Sequence, residues 1–184
     1  MSVSEIELHE GPWTEADYFA LPEDHRRIEL LDGSLLVSPD PTVRHQRLGV
    51  RIWGALDKVC PSGLEVLPPI NLRLQSGRIL IPDLAVVTRL GIDGVTVEAS
   101  DVALALEIVS PGSVAADRAI KPRLYAEAGI PTYVRIELAG GPAAIVGRLL
   151  GDRYVISEPN HVLRLDDPFR AEIDLPALLA AERP

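Results

Sequence analysis

The sequence predicts an α+β domain, a mixed β-sheet flanked by helices with additional β-hairpins. Three observations lead there. Short turn signals at Asp32-Gly33, Gln75-Ser76-Gly77 and Gly151-Asp152 each separate two apolar runs and read as hairpins. Helical punctuation opens segments at Thr14, at Thr42 and after Ser110-Pro111-Gly112-Ser113. The resulting order is helix, hairpin, helix, three strands, helix, strands, which mixes antiparallel neighbours with a helix between strands.

Taken in order, Thr14-Glu15-Ala16-Asp17 has the shape of a capping box and opens a short helix to Leu21. Arg27–Leu31 and Ser34–Ser38 form the first hairpin. Pro39-Asp40-Pro41 breaks the chain, and Thr42 caps a longer helix to Cys60. Ile70–Leu74 and Arg78–Val87 form the second hairpin, and Asp101–Ser110 is a further strand. A helix then runs to Gly129, a natural residue just past a helix end. Thr132–Leu138 is a strand, Ala143–Leu150 and Arg153–Ser157 form the third hairpin, and Asp174-Leu175-Pro176 begins a short C-terminal helix.

A chain of 184 residues that is 47% apolar is long enough for one sizeable core. It reads as a single domain over 1–184, with a core at 14–138 and a C-terminal hairpin and helix at 143–182. Aromatics make up only 4%, so that core is aliphatic. Cys60 is the sole cysteine, which excludes an internal disulfide, and no Cys/His cluster has zinc spacing. Nothing in Met1–Glu10 resembles a signal peptide and no apolar run reaches membrane-spanning length, so the expected location is cytoplasmic, with no membrane partner. A net charge of −9 excludes a general nucleic-acid coat protein. It leaves room for a nuclease, because a carboxylate metal site is itself acidic.

The chemistry concentrates at Ile81-Pro82-Asp83 and at Glu107-Ile108-Val109-Ser110. Each acid lies at the end of, or inside, a run too apolar for a surface strand. A buried carboxylate needs a compensating partner. Two of them on neighbouring strands repel unless a hard divalent cation lies between them.

On the helix from Thr42, His45 shares the apolar face with Leu48, Ile52 and Leu56. Periodicity alone favours a buried histidine bonded to a carbonyl; the alternative is that its inward position brings it to the acidic cluster. Arg44, Arg47, Arg51 and Lys58 form a separate stripe, ordinarily a solvated face, and the place where a polyanion would first land on so acidic a chain. Asp117 and Lys121 stand at i, i+4, the spacing of a surface ion pair worth roughly 0.3–0.5 kcal/mol. The alternative is that their helix packs over the sheet and turns Lys121 toward the acids. Pro122 is expected to kink the helix beside it.

One ordered set of motifs runs from Thr14 to near the C-terminus. It comprises Tyr18…Leu21-Pro22-Glu23-Asp24…Arg27-Ile28-Glu29-Leu30-Leu31-Asp32-Gly33, Arg44-His45-Gln46, Pro82-Asp83-Leu84, Glu107-Ile108-Val109-Ser110-Pro111, Asp117…Lys121…Tyr125-Ala126…Gly129-Ile130 and Tyr133-Val134. In this set the chain resembles the Uma family of putative restriction endonucleases, of the PD-(D/E)XK nuclease superfamily. The resemblance implies a restriction-endonuclease-like core, Mg²⁺ or Mn²⁺ as cofactor and DNA as substrate. It implies Asp83 and Glu107 as metal ligands, with Glu29, His45 and Asp117 as supporting groups. The superfamily lysine would stand at Val109, a departure the Uma family shares, so Lys121 becomes the candidate third catalytic residue. Val134 replaces the usual Trp, and Glu137 a following Asp. Arg44, Arg47 and Arg51 are candidate phosphate contacts. Superfamily nucleases often pair to cut two strands, so a homodimer, with the 143–157 hairpin as a candidate edge, is a further implication.

Two functions stay open at this point: a metal-dependent endonuclease acting on DNA, or a weak or inactive nuclease-fold module that binds nucleic acid or mediates assembly.

Overall fold

The computed structural model describes residues 9–22 and 27–180. Glu23 and Asp24 of the N-terminal motif, the stretch Met1–Leu8 and the expected helical positions after Ala180 lie outside the described residues.

Thr14 opens α1 (Glu15–Phe19) by a reciprocal cap, its hydroxyl accepting the Asp17 amide while the Asp17 carboxylate accepts the Thr14 amide. The first hairpin pairs β1 (Arg27–Leu31) with β2 (Ser34–Ser38). Asp32 at φ 48 and Gly33 at φ 82 both occupy the left-handed region, as a tight hairpin matched to strand twist requires. Thr42 caps α2 (Val43–Asp57), accepting the His45 amide.

Arg78–Val87, expected as one strand, divides between two sheets. β4 (Leu72–Gln75) and β5 (Arg78–Leu80) join β1, whereas β6 (Leu84–Val87) joins β3 (Glu65–Leu67) and β8 (Val102–Ile108). Pro82 has no amide for a ladder, and the Ile81 amide donates to the Glu29 carboxylate at 2.6 Å instead. The chain therefore leaves one sheet and enters the next at Ile81-Pro82-Asp83.

The expected mixed sheet thus becomes two. The first, with β7 (Val97–Glu98), has the order β2-β1-β5-β4-β7. The second adds β9 (Thr132–Glu137), β10 (Ala143–Leu150) and β11 (Arg153–Ile156) in the order β11-β10-β9-β8-β6-β3. Both are mixed, since β7 runs parallel to β4 and β9 parallel to β8.

The β8-to-β9 connection is a π-helical segment, Ala116–Ile120, continuing as α3 (Lys121–Glu127). Pro122 falls in the first turn of α3 and the Lys121 amide reaches back five residues to the Ala116 carbonyl. A change of helical register thus accompanies Pro122. Beyond the third hairpin, β12 (Val162–Leu165) and β13 (Ala171–Asp174) form a small sheet of their own before α4 (Leu175–Ala180).

Alternate residues of β6 and β8 face opposite ways. Leu84, Val86, Leu104 and Leu106 pack with Leu48, Ile52 and Leu56 of α2, and Leu163, Leu165 and Ile173 join that core. Ala85, Val87 and Ala105 pack on the other side with Leu124, Tyr125 and Tyr133. Asp83 and Glu107 belong, by alternation, to this second face.

Candidate active site

Strand register brings the two acids together. In the antiparallel β6–β8 ladder Leu84 stands opposite Leu106, and the Asp83 amide donates to the Leu106 carbonyl at 2.9 Å. One step further along, Asp83 stands across from Glu107, and cross-strand partners point to one face. The guanidinium of Arg27 spans them, with Nη1 2.6 Å from Asp83 Oδ1 and Nη2 3.5 Å from Glu107 Oε2. The second Asp83 oxygen accepts the Ile108 amide at 2.6 Å and lies 3.2 Å from His45 Nε2. The partner of His45 is therefore a carboxylate of the acidic cluster, as its inward position on the helix allowed, and not a backbone carbonyl.

Behind this pair lies Lys121. Its Nζ is 2.9 Å from Glu29 Oε1, 3.0 Å from Glu107 Oε1 and 3.7 Å from Asp117 Oδ1. The Asp117–Lys121 pair is thus buried within a larger cluster rather than exposed on a helix surface. The Tyr125 hydroxyl donates to Glu107 Oε1 at 2.6 Å, and the Tyr133 hydroxyl donates to the Asp117 carbonyl at 2.6 Å. Helical spacing aligns Asp117, Lys121 and Tyr125, while strand alternation puts Arg27 and Glu29 on one side of β1.

Four buried carboxylates, Glu29, Asp83, Glu107 and Asp117, face the two permanent cations Arg27 and Lys121. Glu29 Oε2, Glu107 Oε2 and Asp117 Oδ1 are buried without a hydrogen-bond partner. Burial works against the Asp83 charge, but Arg27, His45 and the Ile108 amide outweigh it and hold the carboxyl down at about 2. At Glu107 burial dominates, and it is pushed up to about 8 despite Lys121 and Arg27. Burial raises Asp117 as well. Burial also disfavours the Lys121 charge, yet Glu107 and Glu29 more than offset this and hold the ammonium above its ordinary range.

A carboxyl raised in the fold contributes stability that is present at acidic pH and lost as pH climbs toward the raised value. In chelator, the thermal midpoint should therefore fall as pH rises from roughly 5 to about 8, and Glu107→Gln should flatten that slope. Identical profiles for the two proteins would show that Glu107 is not the group being titrated.

These residues suit a hard cation. The donors are carboxylate oxygens, negative charge is in excess, and a Glu107 oxygen is buried without a hydrogen bond. Among the described residues no group of three or more His, Cys, Asp or Glu side chains is placed to hold a metal ion. The fit is thus to a two-carboxylate site of the kind Mg²⁺ occupies together with water and phosphate. Arg27 stands between the two carboxylates.

A cleft of about 460 Å³ opens beside Asp83, with Arg27, His45, Gln46 and Asp83 as its polar lining. The structure thus brings Asp83, Glu107, Lys121, Glu29, His45 and Asp117 together. It sets Arg44, Arg47 and Arg51 apart. None of the three lines the cleft, Arg44 and Arg47 are exposed, and Arg51 donates to the Leu178 carbonyl. Sequence reasoning assigned no role to Arg27 or Tyr125, although the alternation from Glu29 and the i+4 step from Lys121 point to both.

The family model for Uma2, described as "Putative restriction endonuclease", matches residues 15–178. No curated protein matches the chain. A solved structure of a protein described as a "putative nuclease belonging to DUF820", from Anabaena variabilis ATCC 29413, superposes with a TM-score of 0.72 at 16% identity. The match covers 91% of this chain and 99% of that one, so the two share one fold, the restriction-endonuclease-like α+β architecture. With a family match across nearly its whole length, the chain belongs to the Uma2 family.

Proposed function

We propose that the protein is a Mg²⁺- or Mn²⁺-dependent endonuclease of the PD-(D/E)XK type that hydrolyses phosphodiester bonds in DNA in the cytoplasm. The observation that carries this reading is the opposed, buried pair Asp83 and Glu107 with the Lys121 ammonium 3.0 Å from Glu107. Asp83 and Glu107 would hold the cation. When bound, it supplies a Lewis acid that activates water and offsets charge on the attacked phosphate.

The chain's own groups prepare that site. The Tyr125 hydroxyl and Lys121 engage Glu107 Oε1, while Oε2 faces Arg27 Nη2 at 3.5 Å. His45 and the Ile108 amide orient Asp83 Oδ2. Lys121 approaches from α3, whereas the position two residues beyond Glu107 is the buried Val109. Glu29 anchors the ammonium from β1. Lys121 can then offset developing phosphate charge without a strand-borne lysine. The exposed Val155 and Ile156 lie on β11, the outer strand of the second sheet, and make it the edge through which two chains would pair to cut two strands.

Arg27 competes for the space between the ligands. Replacing it removes a positive charge next to the incoming cation. Arg27→Met should tighten Mn²⁺ binding by about tenfold or more in calorimetry. Unchanged or weaker binding would place the cation elsewhere. The function itself is tested by plasmid nicking in Mn²⁺ against chelator. Mn²⁺ binding by the wild type without nicking of any DNA would instead favour the nucleic-acid-binding or assembly role.

A further inference from the structure

The cleft beside Asp83 is built unlike a phosphate track. Away from Arg27, His45, Asp83 and one amide, that of Gln46, its walls are apolar, with Val50, Trp53, Pro68 and Pro69 among them. Its volume of about 460 Å³ falls in the range of roughly 300–1,000 Å³ that holds small organic ligands. The Trp53 indole N–H donates to the Val66 carbonyl at 2.8 Å, which pins the ring, yet Trp53 stays 36% exposed. A stacked duplex presents phosphates and base edges, neither of which gains from such walls. A base swung out of its stack presents an apolar π-face, for which an aromatic ring is a sequence-tolerant platform. The charge pattern agrees. The net charge is −9, and the α2 arginines Arg44, Arg47 and Arg51 do not line the cleft. Arg27, by contrast, lies at the junction of cleft and acids.

We propose that this cleft receives one unstacked nucleobase of the strand to be cut, with the adjoining phosphate toward Arg27 and Asp83. The favoured substrate is then single-stranded or locally unpaired DNA. The proposal rests on the nuclease reading for the identity of the strand, while the binding site itself rests on the cleft.

The test uses the full chain carrying Trp13→Phe, which leaves Trp53 as the only tryptophan, in chelator so that nothing is cut. A single-stranded oligothymidylate, its duplex with oligoadenylate and an abasic strand of equal length are titrated while Trp53 emission is followed. The single strand should quench Trp53 and bind about tenfold more tightly than the duplex, and the abasic strand should not quench. Trp53→Ala should weaken single-strand binding, read by anisotropy of a labelled strand, by about tenfold, within the span expected for one stacked base. Val50→Glu, at an exposed position of the cleft wall, should weaken it too and guards against a fold defect in Trp53→Ala. Mn²⁺ affinity should hold in both variants.

Equal quenching by the duplex, or unchanged single-strand affinity in both variants, would overturn the proposal. Plasmid nicking with a silent Trp53 would overturn the cleft assignment alone. Trp53 quenching by the single strand without nicking would support the cleft while removing the nuclease reading.

Discussion

Lys121→Met is expected to lower Mn²⁺-dependent nicking by about a hundredfold or more and to destabilise the fold by about 3–5 kcal/mol. Both effects have one cause. The ammonium is buried among Glu29, Glu107 and Asp117, so removing it subtracts the charge that would meet the phosphate and strands three carboxylates in the interior. Had Lys121 been exposed, Lys121→Met would have been a clean test of catalysis. Its burial makes a second substitution necessary. Glu29→Gln with Lys121→Met removes one charge of each sign, and a carboxamide still accepts the Ile81 amide that Glu29 now holds. Urea unfolding should show the double variant recovering much of the lost stability, while nicking stays low. A folded double variant that nicks at the wild-type rate would exclude Lys121 from the chemistry.

Asp83→Asn should cost at least a hundredfold in Mn²⁺ affinity and reduce nicking to background, since a neutral amide replaces one of the two anionic ligands. It should also change the acid limb of the stability profile. Asp83 titrates at about 2 in the fold, below the ordinary carboxylate range. The stability it contributes is therefore present above that range and lost as pH falls toward 2. In Asp83→Asn that loss on acidification should be smaller, with a lower plateau at neutral pH because Arg27 has lost its counter-ion. Calorimetry and thermal unfolding read the two effects separately. Wild-type Mn²⁺ affinity in this variant would remove Asp83 from the metal site.

Local chemistry was the part of the fold legible in the sequence. The 27–38 hairpin follows from Asp32-Gly33, because few other pairs accept positive φ at both positions. The α2 start follows from Thr42. The sheet switch within 78–87 was not legible, because what captures the Ile81 amide is Glu29, 52 residues away. The two-residue β7 and the three-residue β3 are too short to carry a period. At the site, acids inside apolar strands announce themselves by what their burial costs, and this singled out Asp83 and Glu107. Arg27 did not, since a cation beginning a strand looks like any solvated end. Only the register of β1 against its neighbours shows that it reaches both acids. The arginine stripe on α2 was equally plain in the sequence, but helical phase cannot say which flank meets the cleft.

The sheet switch and the acid-facing turn of β8 also equip the protein with two spectroscopic reporters. The Ile81 amide is bonded to the Glu29 carboxylate and the Ile108 amide to that of Asp83, each at 2.6 Å. A short bond from an amide to a charged acceptor deshields its proton more than one to a neutral acceptor. In a nitrogen–proton correlation spectrum these two resonances therefore lie at low field and move when their own acid gains a proton or a ligand. Ile108 follows the acid that faces the cleft, and Ile81 follows the one that anchors Lys121, so occupancy of the front and the back of one small site is observable residue by residue.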